Sequence, residues 1–282
     1  MSAPKRKTMA RLMRHPSGCV GVVLIALVII MSASAGFLFP GGPWTIAGTP
    51  RLWPGADPAF PLGTDALGRD MLTALFYGSR VSLAVGAAAA LASVIIGTLV
   101  GAFAGYYGGW IDDILMRLTD AMQTIPSFLA AVAIVGIIGA SLGTITAAIA
   151  IVSWPMIARL VRADFLRLRS YDFVQSCKII GMSDLRIIFG QILPNCLAPI
   201  IVSSSILVAT AIITEASLSF LGLGDPNVMS WGTILSVGRQ ELRSGWYMTA
   251  FPAVALVLTV LALNLIGDAL NDVLNPRLKE AA

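Results

Sequence analysis

Long apolar stretches separated by shorter polar segments dominate this chain. A helix needs about 20 mostly apolar residues to cross the roughly 30 Å hydrocarbon core of a bilayer. Six stretches have about this length, and we predict that each forms a membrane-spanning helix. They are residues 19–39, 81–106, 119–139, 144–161, 197–221 and 249–270. Only four residues separate the third and fourth stretches, which predicts an antiparallel helical hairpin.

The composition supports this interpretation and excludes other classes of protein. The 282 residues are 57% hydrophobic and 12% charged, whereas soluble domains contain about 25% charged residues. One globular core of this length could not bury so much apolar surface. Disordered, collagen-like and disulfide-stapled proteins are excluded as well. We therefore predict an all-α integral membrane protein with six transmembrane helices.

The first apolar stretch also has features of a secretory signal. Basic residues precede it, and Ala33-Ser34-Ala35 resembles a signal cleavage site. However, the apolar run of about 21 residues is longer than the 7–15 residues typical of a signal peptide. We expect an uncleaved first helix.

The basic residues predict the orientation. With the N-terminus in the cytoplasm, fourteen of the 19 Lys and Arg residues lie on the cytoplasmic side, the excess usual for cytoplasmic loops. Both termini are therefore expected in the cytoplasm. The expected organisation is a basic head at 1–18, a first helix at 19–39, an extracytoplasmic loop with an interfacial helix at 40–80, a five-helix core at 81–274 and a tail at 275–282.

The sequence lacks the motifs of a self-contained enzyme. It contains no phosphate-binding loop, and its single histidine and three cysteines match no zinc-binding spacing. Asp65 and Asp70 lack the ligand density of a calcium loop, so a turn followed by a helix at 70–80 is expected there. No basic stripe with interleaved aromatic residues indicates nucleic acid. We expect no catalytic residue, bound cofactor, metal or nucleic-acid partner.

Residues 162–198, between the fourth and fifth predicted spans, are the most informative polar segment. Four apolar residues share one face of a short helix at helical spacing. They are Phe173, Val174, Cys177 and Ile180. Gly181 suits a left-handed helix end, and Ser183 with Asp184 suits the start of a second helix. This helix–break–helix element either lies on lipid headgroups or docks a partner protein.

A set of short motifs in a fixed order carries a family resemblance. Cytoplasmic loops of ATP-binding-cassette importer permeases have the signature E-A-A-x-x-x-G, then nine residues, then I-x-L-P. Gly181 and Leu193-Pro194 match its spacing, although Gln175-Ser176-Cys177 stands in place of Glu-Ala-Ala. Further matches are Leu62-Gly-Thr-Asp-Ala-Leu-Gly-Arg-Asp70, Glu215-Ala-Ser-Leu-Ser-Phe-Leu-Gly-Leu-Gly224, Trp231-Gly232, Gly267-Asp268 and Asn275-Pro-Arg277. Over its whole length the chain resembles the C-type permease subunit of the dipeptide, oligopeptide and nickel family.

The resemblance implies an inner-membrane permease subunit that moves peptides by alternating access. It implies four partners: a second homologous permease subunit, two ATPase subunits that use ATP and Mg, and an extracytoplasmic solute-binding protein. Residues 162–198 would then form the coupling loop that docks on the ATPase. The expected contact residues are Phe173, Val174, Gln175, Gly181, Met182, Asp184 and Leu185. The apolar ones could instead pack against the protein's own spans.

Other residues are assigned structural or gating roles. A carboxylate facing lipid costs about 2.5–3.5 kcal/mol, so Glu215 should face protein or water, and the family carries Glu at this place. Pro126 and Pro155 should kink the third and fourth spans, and Asp268 should bond to a neighbouring helix. Three glycines at every fourth position should allow close helix packing in lipid. They are Gly97, Gly101 and Gly105.

The loop at 222–248 is a candidate docking surface for the solute-binding protein, through Trp231, Arg239, Arg243 and Trp246. Three alternatives for the function stay open. The same machine could carry nickel or another small solute. A secondary transporter would instead show inverted repeats and intramembrane acids for a coupling ion. A channel would show filter-like rings from an oligomer.

Overall fold

The computed structural model describes residues 15–274, and most of that range is helical, with no β-strand in it. The basic residues predicted for the head (Lys5 to Arg14) and for the tail (Arg277 and Lys279) lie outside the described residues. The helices are α1 (Pro16–Leu38), α2 (Met71–Tyr107), α3 (Gly109–Gln123), α4 (Ser127–Ile138), α5 (Leu142–Leu168), α6 (Asp172–Ile179), α7 (Asp184–Ile187), α8 (Leu193–Leu218), α9 (Trp231–Gly238) and α10 (Tyr247–Leu274).

Five helical segments in this range are long and apolar enough to cross a membrane. They are α1, α2, α5, the continuous segment Asp184–Leu223 that contains α7 and α8, and α10. A sixth span exists only if α3 and α4 count as one, and these two helices are bent by 80° relative to each other. The prediction of an all-α membrane protein is confirmed.

The third predicted span is broken rather than kinked. Residues 119–139 do not form one helix, because α3 ends at Gln123 and α4 begins at Ser127. Pro126 lies in the break with extended backbone angles. Proline lacks a backbone N–H and disfavours helical geometry at the residue before it, which accounts for the break. Pro155, by contrast, lies inside the continuous helix α5.

The second span begins ten residues earlier than predicted. The expected interfacial helix at 70–80 is the first part of α2 rather than a separate element. Asp70 caps this helix, since its carboxylate accepts hydrogen bonds from the amides of Leu72 (3.1 Å) and Thr73 (3.0 Å). Side-chain oxygens at this position satisfy amides that have no partner within the helix.

The coupling loop is shorter than predicted because both flanking spans extend into it. Helix α5 continues to Leu168, and α7 passes through a π-helical turn at Ile188–Ile192 directly into α8. Pro194 and Pro199 lie within α8 instead of bracketing its start. Pro194 has no N–H to donate to the carbonyl four residues earlier. The wider π-helical turn just before it accommodates this missing hydrogen bond.

The most extensive helix packing joins α2 to α5. Gly97, Gly101 and Gly105 all lie on this contact, and a Cβ on Gly97 would lie 2.6 Å from the carbonyl oxygen of Trp154. Any larger side chain would therefore push the two helices apart. One buried apolar cluster lies near the coupling loop and includes Val161, Phe165, Ile187, Ile188 and Ile192. Another lies at the opposite end and includes Met71, Trp231, Ile234, Tyr247 and Met248.

Candidate functional site

The coupling loop projects a short helix, α6, and a tight turn from one end of the bundle. Gly181 adopts a left-handed conformation (φ +77°) directly after the helix. The amide of Gly181 donates to the carbonyl of Lys178, and the amide of Met182 donates to the carbonyl of Cys177, both at 3.0 Å. Such bonds close a helix end that requires a positive φ, which glycine adopts at little cost. The expected helix end at Gly181 is thus present.

Two of the seven expected contact residues face the protein's own core. Val174 is fully buried against the cluster that contains Phe165 and Ile187, and Met182 packs against the same cluster. Their burial fixes α6 on the ends of α5 and α8. These two side chains therefore hold the coupling loop on the bundle; Val174 has no exposed surface, whereas Met182 is half-buried.

Asp184 connects the coupling loop to the end of α2. Its Oδ1 accepts a hydrogen bond of 2.6 Å from the hydroxyl of Tyr106, the penultimate residue of α2. The ammonium group of Lys178 lies 5.1 Å from the centroid of the same tyrosine ring. Tyr106 was not among the predicted site residues, because no local spacing relates it to a partner 78 residues away.

Gln175, where the family signature has Glu, has a local role. Its Nε2 donates to the carbonyl of Arg169 (2.9 Å). The guanidinium of Arg169 in turn donates to the carbonyls of Gly105 (3.2 Å) and Tyr106 (3.3 Å), which are among the last carbonyls of α2 and lack helical partners. An ionised glutamate has no N–H to donate, so this link requires the amide.

The remaining expected contacts belong to an exposed apolar group at the tip of the coupling loop. Phe173 is 37% exposed and Leu185 is 56% exposed, while Ile179 and Ile180 reach 85% and 75%. We call these four residues the apolar tip. Ile180 was expected on the apolar face of α6 with Phe173 and Val174 but lies just beyond the end of the helix, and Ile179 was not predicted. The pair Ile179-Ile180 before Gly181 was the available signal, since a helix that ends there exposes both. Exposed apolar patches of this kind mark interaction sites.

The opposite end of the bundle contains Glu215, which is 1% exposed. Its carboxylate accepts hydrogen bonds from the hydroxyls of Ser82 on α2 (3.0 Å) and Ser219 (2.9 Å). The oxygen of Ser82 also accepts from the amide of Trp231 at the start of α9 (3.3 Å). Glu215 therefore faces protein, and it joins α2, α8 and α9 at one buried point.

Polar contacts also hold the long loops at this end together. Arg51 donates two hydrogen bonds to the carboxylate of Glu241 (2.9 and 2.7 Å), and this bonding lowers the pKa of Glu241 to about 2. The hydroxyl of Tyr247 lies within hydrogen-bonding distance of the carbonyls of Leu52 (2.8 Å) and Thr64 (2.7 Å). Residues 39–70 are thus fixed to the start of α10.

Several other expected residues lie apart from these contacts. Asp268 is exposed on α10, and the carboxylate that meets α1 on this helix is that of Asp272, 3.4 Å from His15. Trp231 is fully buried, whereas Trp246 is 56% exposed and remains accessible.

The carboxylate of Asp65 accepts backbone hydrogen bonds from the amides of its own turn. Among residues 15–274, no group of side chains could hold a metal ion.

The sequence of the bundle matches a family model. Residues 97–280 match the family described as binding-protein-dependent transport system inner membrane components. The chain belongs to this family. It is therefore a multi-pass inner-membrane permease and a transport subunit.

Relatives named as peptide and dipeptide permeases confirm the resemblance to C-type permeases, and a solved structure shares the fold. The permease is 42% identical to a putative peptide transport system permease of Brucella abortus, over 98% of this chain and 93% of the relative. It is also 42% identical to the dipeptide transport system permease protein DppC of Escherichia coli K12, over 95% of this chain and 91% of the relative. A chain of the inward-facing MetNI methionine ABC transporter has the same fold, with a TM-score of 0.59 at 20% identity, over 72% of this chain and 97% of that one.

Proposed function

We propose that this permease moves short peptides through an ATP-driven importer that works by alternating access. The substrate class rests on relatives named as peptide and dipeptide permeases, which are 42% identical over nearly the whole chain. A second homologous permease subunit and an extracytoplasmic solute-binding protein complete the path. Both termini and the coupling loop face the cytoplasm in this proposal.

The apolar tip is the observation that carries the coupling mechanism. Phe173, Ile179, Ile180 and Leu185 expose apolar side chains on α6, on the turn that follows it and on α7. Such a surface is suited to a groove on a partner protein, in the helix-in-groove mode of recognition. We assign this groove to an ATPase subunit, which would bind ATP and Mg and supply the energy.

The anchoring contacts give the docked helix a route to the membrane spans. Asp184 is bonded to Tyr106 at the end of α2, and Val174 is buried against the ends of α5 and α8. A displacement of α6 would therefore move these helices with it. Closure of two ATPase subunits would change the tilt of the spans and switch the side to which the path opens.

The test uses Gly181→Val in the complete importer. Valine at φ +77° is strained by about 1–2 kcal/mol, yet a Cβ at this position meets no atom within 4 Å. The substitution therefore alters the turn without a clash inside the chain. In cells that lack the wild-type chain, we expect Gly181→Val to lower uptake of radiolabelled dialanine at least tenfold and to reduce co-purification of the ATPase subunit.

Gly143→Ala is the matched control, because a Cβ at Gly143 meets only the hydroxyl oxygen of Ser141, at an ordinary contact distance of 3.9 Å, and its φ is ordinary. It should leave uptake and co-purification unchanged. If removal of the chain leaves dipeptide uptake intact, the peptide assignment is wrong, and loss of nickel uptake instead would favour the alternative solute. If no ATPase co-purifies with wild-type protein, the importer assignment itself is wrong.

A further inference from the structure

A cavity of about 380 Å³ lies at the break between α3 and α4. Its volume is within the range of 300–1,000 Å³ typical of small-molecule sites. Helices α5 and α8 form its other walls, and four polar, uncharged side chains line it. They are Gln123, Ser127, Ser153 and Thr210.

The cavity lies near the middle of the membrane-spanning region. Val152 and Ser153 in its wall are ten and eleven residues from Leu142, the start of α5. At about 1.5 Å per residue this distance is roughly 15 Å, half of a hydrocarbon core of about 30 Å. Thr210 lies eight residues before the end of α8, at a similar depth from the same end of the bundle.

Two observations indicate that this face meets water or protein rather than lipid. The irregular backbone at 124–126 is exposed in this chain, and non-helical backbone at membrane depth is tolerated only where protein covers it or a water-filled cavity adjoins it. Nearer the coupling loop, Arg159 and Asp120 form an ion pair of 2.6 Å whose side chains are 51% and 64% exposed, so this end of the face meets water or headgroups rather than lipid tails.

The lining chemistry suits an amide rather than a metal or a charged group. Thr210 donates its own hydroxyl proton to the carbonyl of Ile206 (3.0 Å), so its oxygen can only accept from a ligand. Gln123 and Ser153 have no hydrogen-bond partner within residues 15–274 and can both donate and accept. A peptide bond presents one N–H donor and one carbonyl acceptor. The lining contains no carboxylate, imidazole or thiolate, the groups that bind nickel.

We propose that this cavity is the part of the translocation path in which the permease binds the backbone amides of a short peptide. This inference rests on the proposed peptide transport. Because no lining residue is charged, the cavity recognises the peptide main chain, and charged peptide side chains remain in the water of the path. A second permease subunit would close the exposed side.

Uptake by variants of the complete importer tests the proposal. Thr210→Val and Ser153→Ala remove one hydroxyl each with little change in shape. The loss of one hydrogen bond corresponds to roughly two- to tenfold in rate. We expect that decrease in the initial rate of uptake for dialanine, and an equal decrease for dipeptides with acidic or basic side chains. Thr146→Val is the control, since its hydroxyl also bonds a carbonyl of α5 (2.7 Å) but lies outside the cavity.

Accessibility supplies a readout that does not depend on transport. A cysteine at Thr210 should react with a charged, membrane-impermeant thiol reagent, and dialanine should slow the reaction. Val257, in the apolar span α10, is 61% exposed; we expect this side chain to face lipid and Val257→Cys to stay unreactive. Peptide mapping separates both sites from the native cysteines. An unreactive Thr210→Cys, or equal labelling with and without dialanine, contradicts the proposal.

The failures of the two proposals are distinguishable. If the Thr210→Val/Ser153→Ala variant transports every dipeptide at the wild-type rate while Gly181→Val does not, the cavity assignment is wrong and peptide transport stands. If this double variant takes up only acidic, or only basic, dipeptides more slowly than the wild type, the proposal that the cavity recognises the peptide main chain is wrong. If removing the whole chain does not affect dipeptide uptake, the proposed function fails first.

Discussion

Each end of the bundle contains a carboxylate that connects helices, and the two differ in burial. Glu215 is 1% exposed and accepts hydrogen bonds from Ser82 and Ser219. Asp184, at the coupling loop, is exposed and accepts one hydrogen bond, from Tyr106. A buried polar group has no water to replace a lost partner, whereas an exposed group does.

Because of this difference in burial, we expect the two ends of the bundle to differ in rigidity. Opening the contact at Glu215 leaves several buried polar atoms unpaired, so α2, α8 and α9 should move as one body there. When the bond between Asp184 and Tyr106 opens, the exposed Asp184 carboxylate meets water and only the hydroxyl of Tyr106, a residue that is 5% exposed, loses its partner. Fewer buried groups are left unpaired than at Glu215, so the coupling loop should adjust more easily when a partner binds. If ATPase subunits drive the permease from the coupling loop, as proposed, an adjustable contact at the docking end and a rigid joint at the other suit that role.

The largest effect is expected from Glu215→Ala. The change leaves the hydroxyls of Ser82 and Ser219 without their acceptor, at a cost of about 1–3 kcal/mol for each unpaired buried group, and it opens a void. We expect a markedly lower Tm in detergent, measured by tryptophan fluorescence, and a low yield of folded protein. Glu215→Gln keeps an acceptor oxygen and the side-chain volume, so its Tm should fall less than that of Glu215→Ala. A Tm for Glu215→Ala equal to that of the wild type would show that this joint is not structural.

A smaller effect on stability is expected from Tyr106→Phe. The ring is kept, and the exposed Asp184 carboxylate turns to water, so the loss should be at most about 0.5–1.5 kcal/mol. Transport should respond more than Tm, because α2 loses its bond to the coupling loop. We expect fewer dipeptides imported per ATP hydrolysed by the reconstituted importer. Tyr107→Phe, an exposed neighbour, is the control. If Tyr106→Phe lowers Tm as much as Glu215→Ala, the contacts at the two ends of the bundle contribute equally to stability and the proposed difference is wrong.

The sequence predicted the parts of the fold that local patterns determine. Apolar length identified the spans, and Gly181 and Asp184 marked a helix end and a helix start that the structure contains. The break at Pro126 was predicted only as a kink, because the conformation around a proline depends on what packs beside it. A helix at 70–80 was predicted, but its continuity with the second span was missed because Gly78-Ser79-Arg80 interrupts the apolar pattern.

The site was less predictable, since its contacts join distant parts of the chain. The apolar period on α6 placed Val174 and Phe173 on one face but could not tell which of them is buried. Tyr106 and Asp184 are 78 residues apart, and no local pattern relates them. The polar lining at Ser153 and Thr210 became visible only when α5 and α8 were placed side by side. Local spacing predicts helices, whereas such contacts follow from tertiary packing.

An exposed ion pair at the Glu215 end tests whether burial, rather than position, makes a contact strong. The bond from Arg51 lowers the pKa of Glu241 to about 2 from an ordinary 4.5. Above pH 4.5 this carboxylate is ionised in the folded and unfolded chain, so the pair stabilises fully. As the pH falls from 4.5 toward 2, the unfolded chain takes up the proton first and the stabilisation is lost.

We therefore expect Arg51→Gln to lower Tm slightly at pH 7, less than either variant above, because exposed pairs are screened by solvent. The difference from wild type should shrink as Tm is measured at successively lower pH below 4.5. Arg243→Gln, on the loop that carries Glu241 and also exposed, should show no such pH-dependent difference. If Arg51→Gln at pH 7 destabilises as strongly as Glu215→Ala, then exposed contacts hold this end as firmly as buried ones, and its rigidity does not come from the burial of Glu215.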